Sequence, residues 1–287
     1  MSVFQSIILG ILQGIAEFLP ISSSGHLAVA QKLFGLEDVP LLFDVMLHLA
    51  TLAAVILYFR KKIWKLLCVF IRWIFRKPIV ENEPVASDAS EADLLTGTES
   101  LGRKTILAVI FATIVTGGIG VFTSKAIPDL PIKFTCCGFI FTACLLIFSS
   151  FWEKKAAKKA PGNKEGISVR QALFIGFMQG VGTLPGVSRS GSTIAGAQLA
   201  GVNRAAAGEF SFIVSIPAIL GAFVLEAKDL GQVSSQIGGI QVLCGCLASF
   251  AFGYLSLSML MKLIRKGKLE WFACYLIPLG ILGLIFF

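Results

Sequence analysis

Charge is scarce in this sequence. Asp, Glu, Lys and Arg make up 15% of its 287 residues, against about 25% in an average soluble domain, and a soluble globule is thereby excluded as the ordinary reading. Histidine occurs twice and tyrosine three times, beside 24 phenylalanines and a mean hydropathy of +0.82. The aromatic content therefore suits hydrocarbon more than the interfaces that Tyr and Trp seek. The seven cysteines (68, 136, 137, 144, 244, 246 and 274) include no Cys-x-x-Cys pair and sit mostly inside apolar runs. Neither a disulfide framework nor a zinc site is indicated, and they read as small buried hydrophobes. Met1 to Gln5 carries no basic stretch of the kind that opens a secretory leader, so the first hydrophobic segment is expected to be retained. The net charge of +8 is gathered in short clusters between apolar blocks, without aromatic interleaving, so membrane topology explains it and no nucleic-acid partner is expected.

What fills the chain is apolar blocks of about 20 residues, the length that crosses roughly 30 Å of hydrocarbon as a helix. Six of them, near 41–59, 104–123, 133–152, 206–226, 238–261 and 269–287, predict six transmembrane helices. Two further stretches, near 5–35 and 170–201, are interrupted by Pro20 with Ser22-Ser23-Ser24-Gly25 and by Pro185-Gly186 with Ser188-Arg189-Ser190-Gly191. Neither half of either stretch can cross alone. Irregular backbone at membrane depth survives only under cover of protein or a water-filled cavity, so each is predicted to be a re-entrant helix-loop-helix hairpin. The expected fold is an all-α integral membrane protein, one domain over residues 1–287.

Lys and Arg set the orientation. Residues 60–77 hold seven of them, 153–170 six and 262–268 four, whereas 124–133 and 227–237 hold two and one. The three rich segments are predicted to be cytoplasmic loops, which with six crossings places both termini outside. Residues 78–101 carry six carboxylates and two prolines and read as a flexible acidic cytoplasmic insert.

A shift of 166 residues lays Gly10-Ile11-Leu12-Gln13-Gly14 on Gly176-Phe177-Met178-Gln179-Gly180, and Ser22-Ser23-Ser24-Gly25 on Ser188-Arg189-Ser190-Gly191. The chain reads as a duplication, with one repeat near 1–152 and the other near 168–287. Each repeat has one hairpin and three crossings, an odd number, so the second is inverted relative to the first.

Ionisable residues at membrane depth cost about 2.5–3.5 kcal/mol each on insertion scales and are functional candidates by default. Here they are Glu17, His26, Asp44, His48, Arg189 and Glu209, with Gln13 as a polar companion one turn before Glu17. The first hairpin brings Glu17, Ser22, Ser23, Ser24, Gly25 and His26 to its tip. The second offers Ser188, Arg189, Ser190, Gly191, Ser192 and Thr193 at a helix start, where free N–H groups and a guanidinium fork suit phosphate oxygens. If the tips meet, they form an inventory for phosphoryl transfer. Asp44 and His48, four residues apart, are read as a neutralising pair lining the cavity, and Glu209 with Ser211 as a support for the second hairpin. Trp64, Trp73 and Trp271 read as interface anchors. An inverted-repeat transporter or flippase of a phosphorylated lipid or ion is the competing reading.

The segments Glu17-Phe18-Leu19-Pro20-Ile21-Ser22-Ser23-Ser24-Gly25-His26 and Pro185-Gly186-Val187-Ser188-Arg189-Ser190-Gly191-Ser192-Thr193 closely resemble the two motifs of the membrane-integral undecaprenyl-diphosphate phosphatase family, linked to bacitracin resistance. The resemblance extends to Glu209-Phe210-Ser211-Phe212 and covers nearly the whole chain. It implies hydrolysis of undecaprenyl diphosphate to the monophosphate and inorganic phosphate, which recycles the carrier for cell-wall polymers. It also implies a site of Glu17, Ser23, His26, Ser188, Arg189 and Thr193, and a divalent cation, Mg or Ca, with Glu17 as its ligand. The first position of the family's glutamate motif accepts Glu or Gln and here is Gln13, which leaves more of the work to Glu17. Two mechanisms stay open: attack by Ser23 with His26 as base, or attack by water with Glu17 or His26 as base. The expected partners are a prenyl diphosphate lipid, the bilayer and at most a second copy in a homodimer. The expected place is the bacterial plasma membrane, with the active site toward the extracytoplasmic face.

Overall fold

The computed structural model describes residues 1–36, 39, 41–76, 93–126, 131–157, 166–226 and 238–287. Among them every regular element is a helix. In chain order these are α1 (Val3–Phe18), α2 (Ser23–Leu33), α3 (Leu41–Tyr58), α4 (Arg60–Ile74), α5 (Glu99–Ala126), α6 (Ile132–Ala157), α7 (Val169–Val181), α8 (Arg189–Leu199), α9 (Arg204–Glu226), α10 (Gly239–Arg265), a 3-10 turn (Leu269–Phe272) and α11 (Ala273–Phe286). By length and composition five helices can cross a membrane, or six if α3 and α4, bent by 81° at Phe59, count as one span. The chain is thus a multi-pass membrane protein.

α1, α2, α7 and α8 have 16, 11, 13 and 11 residues. At 1.5 Å per residue the longest reaches about 24 Å, short of the roughly 30 Å of hydrocarbon. Ser2 and Gln5 form a capping box at the start of α1, and Ser168 and Gln171 form the same box on α7, again 166 residues apart. Each of these helices lies along a crossing from the other half of the chain, α1 on α10 and α7 on α5. Glycine makes that approach feasible. A Cβ at Gly10 would run into the backbone of Gly245, and one at Gly176 into the backbone of Ala112. The centre of the bundle is α8, buried from Ser190 to Gln198.

Ion pairs gather the basic segments at one end. Lys62 pairs with Glu209 and, at 3.0 Å, with Asp93; Arg265 lies 3.8 Å from Glu209; Arg204 and Lys154 reach Glu153 and Glu270, each at 2.5 Å. Three expectations change there. Residues 60–74 form an amphipathic helix and not a loop, because apolar Ile63, Leu66, Phe70 and Ile74 recur at helical spacing between the cations. Basic density sets the side of the membrane and leaves the backbone free to be helical. Residues 93–101 are folded: Leu94 and Leu95 are buried against Leu66 and Ile167, and α5 begins at Glu99. Burial pushes the Asp93 carboxyl up, but hydrogen bonds from Thr96 and the Lys62 ammonium outweigh it and hold it below the usual range. The rest of the acidic insert, 78–92, lies outside the described residues. Glu209 pairs with Lys62 of α4 and Arg265 of α10, and among the described residues no ion pair ties it to the second hairpin, since its position on α9 faces the cationic layer.

Candidate active site

The two breaks meet at the centre. α1 ends at Phe18 because Pro20 cannot continue it. Ser22 turns the chain at φ 70°, and its hydroxyl accepts the Gly25 N–H at 3.4 Å to cap α2. Ser188 accepts the Gly191 N–H at 3.1 Å, and α8 begins at Arg189. Ser22 and Ser188 thus repeat one capping device at the offset of 166. The Ser190 hydroxyl donates to the Leu19 carbonyl at 3.4 Å and joins one break to the other.

Across this junction the Arg189 guanidinium pairs with Glu17 Oε1. The other oxygen, Oε2, accepts the Ser23 hydroxyl at 2.7 Å and the Gln13 amide at 3.0 Å, with His48 Nε2 at 3.5 Å. A buried carboxylate held on both oxygens is thereby fixed in direction. In front of it lies a cavity of about 1020 Å³, large beside the roughly 300–1,000 Å³ of small-molecule sites.

The sequence-predicted residues separate by placement. Glu17, Ser23, Ser24, Ser188 and Arg189 face the cavity, as do Asp44 and His48. Ser190 and Thr193, with Ser211, line a small recess beside Arg189, where the Thr193 hydroxyl donates to the Arg189 carbonyl at 2.6 Å. Gln13, Ser22, Gly25 and Gly191 form the frame. Gly25 sits against the Phe139 ring and Gly191 against Pro20, where a side chain would crowd the junction.

His26 stands apart from Ser23. Its Nδ1 lies 2.7 Å from the Ser22 carbonyl, an acceptor only, so Nδ1 carries the hydrogen and Nε2 accepts the Tyr275 hydroxyl at 2.8 Å. The ring packs against Phe139 and Tyr275. Among the described residues no hydrogen bond joins His26 to Ser23, whose hydroxyl turns to Glu17 instead. The serine–histidine pair that one of the two open mechanisms needs is not assembled, because the bond back to Ser22 holds the imidazole toward α11. Asp44 and His48 also differ from a neutralising pair. His48 Nδ1 donates to the Asp44 main-chain carbonyl at 2.7 Å, while the Asp44 carboxylate accepts the Gln31 amide at 3.0 and 3.2 Å. A carbonyl four residues back is the nearer acceptor on a helix, and this bond leaves Nε2 pointing at Glu17.

Tyr275 and Gln31 went unseen in the sequence. Tyr275 had a signal, being one of three tyrosines and the polar tip in an otherwise apolar last span. If its hydroxyl only steadies His26, Tyr275→Phe loses about one neutral hydrogen bond and keeps turnover within about tenfold of the parent, as steady-state phosphate release will measure.

The described ionisable groups on the cavity wall are two carboxylates, one guanidinium and one imidazole. An incoming diphosphate therefore needs more positive charge than Arg189 supplies. No group of three or more His, Cys, Asp or Glu is placed to hold a metal among the described residues. The donors on the cavity wall are oxygens, namely Glu17 and the hydroxyls of Ser23, Ser24 and Ser188. That set fits a hard divalent cation that takes one carboxylate from the protein and the remainder from substrate phosphates and water.

A family model described as bacitracin resistance protein BacA matches residues 6–282. The chain is similar to an undecaprenyl-diphosphatase of Treponema denticola, 46% identical over 283 residues, covering 98% of this chain and 96% of that protein. It is similar to that of Carboxydothermus hydrogenoformans, 36% identical over 290 residues with 99% and 97% covered. The undecaprenyl-diphosphatase of Borrelia recurrentis is 35% identical over 286 residues, with 100% and 98% covered.

Proposed function

The chain belongs to the bacitracin resistance protein BacA family, and we infer from this membership and from the site that it hydrolyses undecaprenyl diphosphate to undecaprenyl phosphate and inorganic phosphate. It is a membrane phosphatase whose substrate is a prenyl diphosphate lipid, and the family name carries resistance to bacitracin with it. The product is the lipid carrier that cell-wall synthesis consumes.

The observation that carries the chemistry is Glu17 bridging Ser23 and Arg189 at the cavity wall. In our reading Arg189 turns its fork to the terminal phosphate, since a planar pair of donors matches two phosphate oxygens. Ser23 Oγ attacks that phosphorus in line, its proton passes to Glu17 Oε2, and the bond to the bridging oxygen breaks to release undecaprenyl phosphate. Water then hydrolyses the phosphoserine and frees inorganic phosphate. Ser24 and Ser188 offer further hydroxyls to the phosphates. Ser22, Gly25, Gly191 and His26 hold the two breaks in register, and Gln13 holds Glu17. A Mg or Ca ion, bound by Glu17 together with substrate oxygens, would supply the charge neutralisation that phosphoryl transfer demands.

The finer topology belongs to the same reading. Each helix-break-helix unit is a re-entrant hairpin, and the halves are inverted repeats. Their support is the shared capping at one offset and the exchange of packing partners, α1 on α10 and α7 on α5. The basic layer faces the cytoplasm, both termini lie outside, and the cavity opens toward the extracytoplasmic face of a bacterial plasma membrane.

Phosphate release from a prenyl diphosphate by the purified, detergent-solubilised protein tests the function. The reading expects turnover that a chelator abolishes and Mg or Ca restores. A transporter alone would release none, and turnover unchanged by chelation would remove the cation.

A further inference from the structure

We propose that the cavity wall between α5 and α9 is the groove for the first isoprene units of the substrate, and that Gly117 and Gly221 keep it open. The proposal rests on the phosphatase reading and names where that lipid's chain lies.

The cavity that holds Glu17, Ser23 and Arg189 continues past Gly117 and Val121 on α5 and past Leu220, Gly221 and Val224 on α9. The charged groups and the aliphatic face of α9 thus line one space, as the head and tail of one amphiphile require. Beyond the charged groups the α5 side carries Thr113, Thr116, Thr123 and Ser124 beside Val121, and the α9 side carries the aliphatic Ile219, Leu220, Val224 and Leu225, so it is α9 that offers an isoprenoid chain an apolar surface.

The glycines mark the width. Among the described residues a Cβ at Gly117 or Gly221 would meet nothing within 4 Å, so neither makes the close helix contact seen at Gly10 and Gly176. Glycine inside a helix is costly relative to alanine, and at both positions the missing side chain leaves room in the cavity. Val121, Leu220 and Val224 are 40%, 43% and 62% exposed, so the groove is open at its flank and a long chain can leave it for the bilayer. Pro217, at the head of the α9 wall, has no N–H for the Ile213 carbonyl, which loosens the helix where the groove begins. Gly118 supplies an internal control. Among the described residues a Cβ there also meets nothing within 4 Å, yet Gly118 is not part of the cavity wall.

The test is kcat/KM for phosphate release by the full-length enzyme in detergent, with farnesyl diphosphate and with dimethylallyl diphosphate, whose tail ends after one isoprene. The variants are Gly117→Leu, Gly221→Leu and Gly118→Leu, each checked for an unchanged size-exclusion profile. We expect Gly117→Leu and Gly221→Leu to lose about tenfold or more on farnesyl diphosphate, mostly through KM, and to stay within about twofold on dimethylallyl diphosphate. Gly118→Leu should match the parent on both. Equal losses on the two substrates, no loss on farnesyl diphosphate, or a Gly118→Leu enzyme as impaired as Gly117→Leu would overturn the groove. A parent enzyme that releases phosphate from neither substrate fails at the phosphatase reading itself, before any variant is made. If one leucine variant does not fold, the other decides.

Discussion

Glu17→Gln is expected to lower phosphate release by about a thousandfold or more while the protein stays folded. The amide keeps the shape and can still bond Ser23 and Gln13, but it takes no proton from Ser23, offers Arg189 no charge and is a poor partner for a cation. All three losses fall on the same step, so the effect is expected in kcat. Single-turnover release at saturating prenyl diphosphate measures it, and a Glu17→Gln enzyme within tenfold of the parent would remove Glu17 from the chemistry.

Arg189→Lys is the second large effect, a loss of about a hundredfold or more although the positive charge is kept. In the free enzyme Arg189 pairs with Glu17 Oε1, and one guanidinium plane can hold that carboxylate while presenting donors to a phosphate. An ammonium has no such fork. Because the phosphate is held most strongly as charge develops, kcat should fall with kcat/KM. Near-normal kcat with a raised KM would reduce Arg189 to a binding residue.

The sequence disclosed the breaks, the capping serines and the central acid and base more readily than their wiring. Pro20 and Ser22 to Gly25, and Pro185 to Gly191, are local signals. They act through backbone chemistry, where proline stops a helix and serine caps one, and the structure has both helix ends there. Ser23 and Glu17 come together as the spacing suggested, but His26 does not join them. Its ring is held between the Ser22 carbonyl and Tyr275, 249 residues away, and no local pattern encodes a partner as distant as the second. His48 illustrates the reverse case. Its place near the cavity and its bond to the carbonyl four residues back belong to α3 alone, whereas its approach to Glu17 depends on how α1 lies against α3. The amphipathic α4 was hidden by its own charge, since seven cations in 18 residues read as a loop until the apolar stripe at 63, 66, 70 and 74 is followed. Leu94 and Leu95 were lost in acidic surroundings for the same reason, being two apolar residues whose value lies in a contact made from elsewhere.

In the proposed mechanism Ser23, held by Glu17 and not by His26, attacks the terminal phosphorus. The most direct test of that attack is a rapid acid quench of the full-length enzyme turning over a prenyl diphosphate labelled in the terminal phosphate, followed by peptide mapping. Label is expected on Ser23 in the parent enzyme, and no label with less than about a hundredth of the turnover in Ser23→Ala. A Ser23→Ala enzyme that releases phosphate at close to the parent rate, with no labelled residue in either protein, would contradict it.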